Sequence, residues 1–106
     1  MTPTGTLMPS SEFLDHLVNL AEQDLAERLS IDISQITVIE AKHVVWSDSS
    51  QGCPQPGMMY AQVLTPGYLI LLSAHNIYYE YHSGQDGEVF YCENPTPPVP
   101  GEPSDI

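Results

Sequence analysis

Residues 44–60 read Val-Val-Trp-Ser-Asp-Ser-Ser-Gln-Gly-Cys-Pro-Gln-Pro-Gly-Met-Met-Tyr. They gather the only tryptophan, one of two cysteines, two prolines and two glycines of a 106-residue chain. Neither the period of a strand nor that of a helix runs through them. Proline fixes φ and removes a donor, and glycine reaches backbone angles closed to other residues. The stretch predicts a constrained loop between two strands, and the remaining elements must be arranged around it.

Before the loop, Leu14, Leu17, Val18, Ala21, Leu25 and Leu29 recur at spacings of three and four, with Asp15, His16, Asn19, Glu22, Gln23 and Glu27 between them. That pattern predicts an amphipathic helix of about five turns. Ser10 or Ser11 is expected to cap it, with Glu12 and Asp15 in the first turn and an Asp24–Arg28 pair further along. Residues 30–35 end the helix, and Asp32 with Gln35 has capping-box spacing, so one short turn is expected there. Residues 36–46 are rich in β-branched side chains and predict a strand, whose imperfect alternation points to a bulge or to burial of both faces at one end.

After the loop, residues 58–64 read as a second strand, 65–67 (Thr-Pro-Gly) as a turn and 68–73 as a third strand. Residues 74–76 are a tight connection in which Asn76 takes positive φ, and 77–82 are a fourth strand. In that strand Ile77, Tyr79 and Tyr81 share one face, and Tyr78, Glu80 and His82 the other. A turn at 83–87 leads to a short fifth strand at 88–92. The fold class expected is α+β: one N-terminal amphipathic helix packed on a curled antiparallel sheet of four or five strands. The single domain spans 10–92, between a flexible terminus at 1–9 and a disordered proline-rich tail at 93–106, which holds five prolines.

Fourteen acidic residues stand against Arg28 and Lys42, for a net charge of −12. Two cations cannot supply the phosphate contacts of a nucleic-acid binder, and an anionic membrane surface is disfavoured for the same reason. The charge suits solubility, a protein partner with a basic surface, divalent cations or mimicry of nucleic acid. The N-terminus lacks the basic region and apolar core of a signal peptide, which points to the cytoplasm, or to export with a leader already removed.

The chemistry-bearing residues exclude more than they assign. Cys53 and Cys92 lack C-x-x-C spacing, so a redox motif is not expected; they form either a disulfide or two buried thiols. His16, His43, His75 and His82 match no zinc pattern, and His43 and His82 read as hydrogen-bonded strand residues. No nucleophile elbow or phosphate loop is present, so no enzyme and no cofactor are expected. Calcium is the exception worth testing. Residues 48–52 fail the EF-hand pattern, but Asp48, Asp86 and Glu88 would make a site if separate loops met.

The binding candidate is the loop itself: Trp46, Asp48, Gly52, Cys53, Pro54, Pro56, Met58, Met59 and Tyr60. Its prolines reduce loop entropy, and Met and Tyr supply adaptable apolar contacts. A rigid presented loop serves a protein-binding module or a protease inhibitor, because preorganisation lowers the cost of binding. The alternative is that Trp46, Met58 and Tyr60 pack beneath the helix while the prolines only shape a turn.

The chain resembles an uncharacterised bacterial family of small domains. The resemblance rests on Trp46-Ser47-Asp48, Ser50 through Tyr60 as S-x-G-C-P-x-P-G-M-x-Y, Pro66-Gly67-Tyr68, Tyr79-Glu80-Tyr81-His82 and Cys92. Gln51 stands where that family has Leu, and His75-Asn76 where it has Asn-Gly, so the loop apex and one hairpin are expected to differ. The family implies no activity. Some of its members resemble exported proteins, which favours a Cys53–Cys92 bridge.

Overall fold

The computed structural model describes residues 9–100, with side chains from residue 12 onward in the first helix. Helix α1 (Pro9–Leu29) is followed by a 3-10 turn (Ile33–Gln35) and strands β1 (Thr37–Trp46), β2 (Thr65–Ala74), β3 (Ile77–Gly84) and β4 (Val89–Tyr91). The expected α+β class is found: one helix lies on an open antiparallel sheet of four strands in the order β1-β2-β3-β4.

The helix starts earlier than expected. Pro9 takes the first helical turn, where its missing N–H costs nothing, so Ser10 and Ser11 lie inside the helix rather than capping it. Leu17, Ala21 and Leu25 are fully buried against Ile70, Leu72 and Tyr81 of the sheet. At the other end, Ile31 N–H donates to Ala26 C=O at 3.0 Å and Ser30 N–H to Glu27 C=O at 3.3 Å. Those bonds make a Schellman motif, with Ser30 in the left-handed region at φ 57° where glycine is usual. Asp32 then caps the 3-10 turn by accepting from Ser34 N–H at 2.9 Å. Gln35 does not close the expected box; its amide oxygen reaches His75 Nε2, 2.8 Å away in the β2–β3 hairpin.

A polar bolt fixes the helix to the sheet. Asp24 Oδ2 accepts from Tyr81 Oη at 2.6 Å and from Arg28 Nε at 3.0 Å, and the Arg28 guanidinium lies 4.8 Å over the Tyr91 ring. Burial, and then the bond to Asp24, push the Tyr81 phenol well above the ordinary tyrosine range.

The strands match the sequence reading at both ends and depart from it in the middle. β1 carries the expected bulge, between Val38 and Glu40. The hairpin at His75-Asn76 has both residues at positive φ, 52° and 66°, as a two-residue type I′ turn demands. Residues 58–64 form no strand, and residues 65–67 form no turn; Thr65, Pro66 and Gly67 open β2, whose remainder is the expected third strand.

Tertiary packing explains why a Pro-Gly pair enters a central strand. Val45 stands opposite Pro66, and its C=O accepts from Val99 N–H at 2.8 Å, so it points away from β2 and asks Pro66 for no donor. On the other side the β3 ladder begins at Gly67↔Gly84, one residue past Pro66. Gly67 is required because a Cβ there would strike Ser83 C=O and the Trp46 indole.

Beyond β4 the chain continues across the sheet. Residues 93–100 run as a strap across the sheet face remote from the helix, where Pro95, Thr96, Pro97 and Pro98 lie beside Leu69 and Glu80. Between residues 95 and 100 only Thr96 and Val99 have an N–H, and both are used, on Gly52 C=O at 2.9 Å and Val45 C=O at 2.8 Å. Proline had already restricted the unfolded segment, so ordering it costs little. The expected looseness of residues 1–8 and 101–106 lies outside the described residues.

Two outcomes check this account. Ser30→Gly should raise stability by roughly 0.5–1 kcal/mol, read as a higher urea midpoint at unchanged m. A phenol kept protonated by the fold contributes stability that is whole below the ordinary tyrosine pKa and is lost as pH climbs through its raised value. The stability advantage of wild type over Tyr81→Phe should therefore shrink as the pH rises beyond about 10.

Candidate recognition loop

β1 ends at Trp46 and β2 begins at Thr65, so residues 47–64 must turn back without strand pairing. The turn is built in three tiers. At the neck, Ser49 N–H donates to Ala61 C=O at 3.0 Å and Ala61 N–H to Ser49 Oγ at 2.9 Å. Beside it, Asp48 Oδ1 accepts from Ser50 Oγ at 2.6 Å and Ser50 N–H at 2.9 Å, which holds the Asp48 carboxyl below the usual range.

The base is sunk into the sheet face opposite the helix. Trp46 is fully buried there; its indole crosses Gly67 and donates Nε1–H to Ser83 C=O at 3.1 Å. The His82 ring, also fully buried, stacks on it with centroids 4.2 Å apart. His82 Nδ1 lies 2.7 Å from Gln51 C=O, which can only accept, so Nδ1 carries a hydrogen. Nε2 lies 2.6 Å from Glu80 Oε2. Gln51 and Gly52 both take left-handed angles, φ 58° and 74°, which turns the Gln51 carbonyl inward and lays Gly52 flat on the stacked rings. A Cβ at Gly52 would collide with both rings.

Next to Gly52, Cys53 is joined to Cys92 at the end of β4, with Cα atoms 5.8 Å apart. The disulfide reading is therefore the one the structure bears out, and among the described residues no cysteine is free. The base is gripped from three sides: by Trp46 and His82 below, by the disulfide, and by the Thr96 bond from the strap.

The tip stands clear of this base. Met58 N–H donates to Gln55 C=O at 3.1 Å, with Gly57 at φ 81° behind Pro56, the pattern of a type II turn. Gln55 N–H donates to Tyr60 Oη at 2.9 Å, so the half-buried tyrosine is a strut inside the loop. Pro54, Pro56 and Met58 are exposed, and Met59 is 94 % exposed.

The nine residues singled out in the sequence thus divide. Trp46, Gly52 and Cys53 are buried foundation; Asp48 and Tyr60 brace the loop internally; Pro54, Pro56, Met58 and Met59 form the accessible face. Packing beneath the helix is ruled out for Trp46, which lies on the other side of the sheet, and Met58 is 61 % exposed. Asp48, Asp86 and Glu88 do not meet: among the described residues no group of three or more His, Cys, Asp or Glu is placed to hold a metal ion. Asp86 instead accepts from Glu88 N–H at 3.1 Å within its own turn. His82 is hydrogen-bonded as expected, whereas His43 packs edge-on against Tyr68. The His82–Glu80–Gln51 network joins residues 31 apart in sequence, and no local pattern announces it.

A family model matches residues 18–92, from the first half of the helix to Cys92. The chain belongs to the family described as Domain of unknown function (DUF8738). The match takes in the Trp46 foundation, the loop and both cysteines, and it stops where the strap begins. No curated protein and no solved structure matches the chain.

The disulfide closes a separation of 39 residues, and on a chain-entropy basis that stabilises the domain by about 4 kcal/mol. Paired Cys53→Ser and Cys92→Ser substitutions should lower the unfolding free energy by an amount of that order in urea titration.

Proposed function

We propose that this DUF8738 domain is a non-enzymatic recognition module whose contact surface is the 54–59 tip. The observation that carries the reading is the contrast within one loop: a foundation fixed by stacking, disulfide and backbone bonds holds out a tip with two exposed methionines. Met58 and Met59 stay in water in the folded domain, so their apolar surface is left for a partner to bury. Because the loop is already ordered, binding forfeits little entropy.

The net charge of −12 makes the favoured partner a protein with a basic surface, attracted at long range and then held by the tip. The buried Cys53–Cys92 bridge favours an oxidising compartment. No described helix is long and apolar enough to cross a membrane.

A photo-cross-linking side chain at position 59, compared with the same group at the exposed helix position 16, tests the assignment in cells of the native host. Discrete adducts from position 59, absent from position 16 and weakened by Pro54→Ala with Pro56→Ala, are the expected result. Matching adduct patterns from both positions would overturn it.

A further inference from the structure

The sulfur atoms of the described residues fall into two groups. Cys53 and Cys92 are oxidised to a disulfide and nearly inaccessible, 9 % and 2 % exposed. Met58 and Met59 are 61 % and 94 % exposed at the loop tip. No described cysteine is free, and Trp46, another oxidisable side chain, is fully buried. Among the described residues, the sulfur most open to a two-electron oxidant arriving from solvent is therefore at the tip. Met1 and Met8 lie outside the described residues.

We propose that Met59, with Met58 beside it, is a reversible oxidation site that changes the loop tip from apolar to polar. The inference rests on the recognition reading for its purpose, though its chemistry stands apart from it. With a peroxide as oxidant, a thioether lone pair attacks one peroxide oxygen and the O–O bond breaks. An S–O bond forms, methionine loses two electrons, and the peroxide leaves as water after proton transfer. Return to the thioether requires a dithiol reductant acting through a methionine sulfoxide reductase, with a disulfide and water as the other products.

The surroundings make the change local. Neither methionine belongs to the buried clusters, and the bonds that hold the tip are made by Met58 N–H, Gln55 and Tyr60 rather than by a thioether. Adding oxygen to either sulfur leaves the Trp46–His82 foundation and the disulfide untouched. The fold stays while the accessible face becomes polar, which would release a partner that had packed against it.

Hydrogen peroxide titration of the full chain, followed by peptide mapping and hydrophobic-interaction chromatography, tests the proposal without any partner. Met59 should gain one oxygen at a rate within about threefold of free N-acetylmethionine amide, with Met58 following. The oxidised protein should elute earlier at an unchanged thermal midpoint, and treatment with methionine sulfoxide reductases and dithiothreitol should restore both mass and retention. A Met58→Leu/Met59→Leu variant should lose the part of the retention shift that peptide mapping assigns to residues 58 and 59. Oxidation at Met59 more than tenfold slower than the free amide, an unchanged retention time, or a loss of fold on oxidation would each overturn it. Failure of the recognition reading shows separately, as indiscriminate cross-linking from position 59 in protein that still oxidises and is repaired as described.

Discussion

The Trp46 indole lying across Gly67 is the contact on which the other arrangements depend. Only a glycine lets the ring approach the β2 backbone closely enough for Nε1–H to reach Ser83 on the next strand. With the ring in place, His82 has a surface to stack on, Gly52 has a floor, and the loop entering from β1 has a fixed origin. The face of the sheet remote from the helix thus sets a Trp, a His and two glycines beside the buried aliphatic side chains Val44 and Leu69. Its polar atoms are matched by bonds to Ser83, Gln51 and Glu80, so the burial leaves no orphaned ring nitrogen.

This design gives the domain two unlike faces. The helix side is a conventional apolar core of Leu17, Leu25, Ile70, Leu72 and Tyr81, tied at its rim by Asp24. The other side is closed by irregular chain, with the crossover at one end and the proline strap across it. About 90 described residues are few for two packed faces, and the disulfide supplies part of what a second helix would have contributed. The family match ends at Cys92, so it takes in both bridged cysteines and stops short of the strap.

Local signals were enough for the helix, the bulge in β1, the His75-Asn76 hairpin and the outer strands, because each follows from periodicity or turn chemistry within a few residues. The constrained loop was legible for the same reason, from its prolines and glycines, although the turn that Pro56-Gly57 makes at its tip was not singled out. Pro66-Gly67 misled because the same residue pair is used for a different purpose. Its proline falls where neither neighbour needs a donor, and its glycine makes room for a tryptophan distant in the chain. The strap was hidden because composition reports how little a segment can bury. It does not report whether that segment's two available N–H groups find acceptors on the loop base and on β1.

The strap has one more consequence, which concerns the outer rim of β1. That strand is ten residues long and lies at an edge of the sheet, with Val38 and Ile39 exposed, a template on which further chains stack into fibrils. Val99 occupies one carbonyl of that rim, and the prolines on either side of it have no hydrogen to continue a ladder. Together with the bulge at Ile39, this leaves a short interrupted rim, so the same proline-rich chemistry that braces the loop also blunts an edge open to strand addition.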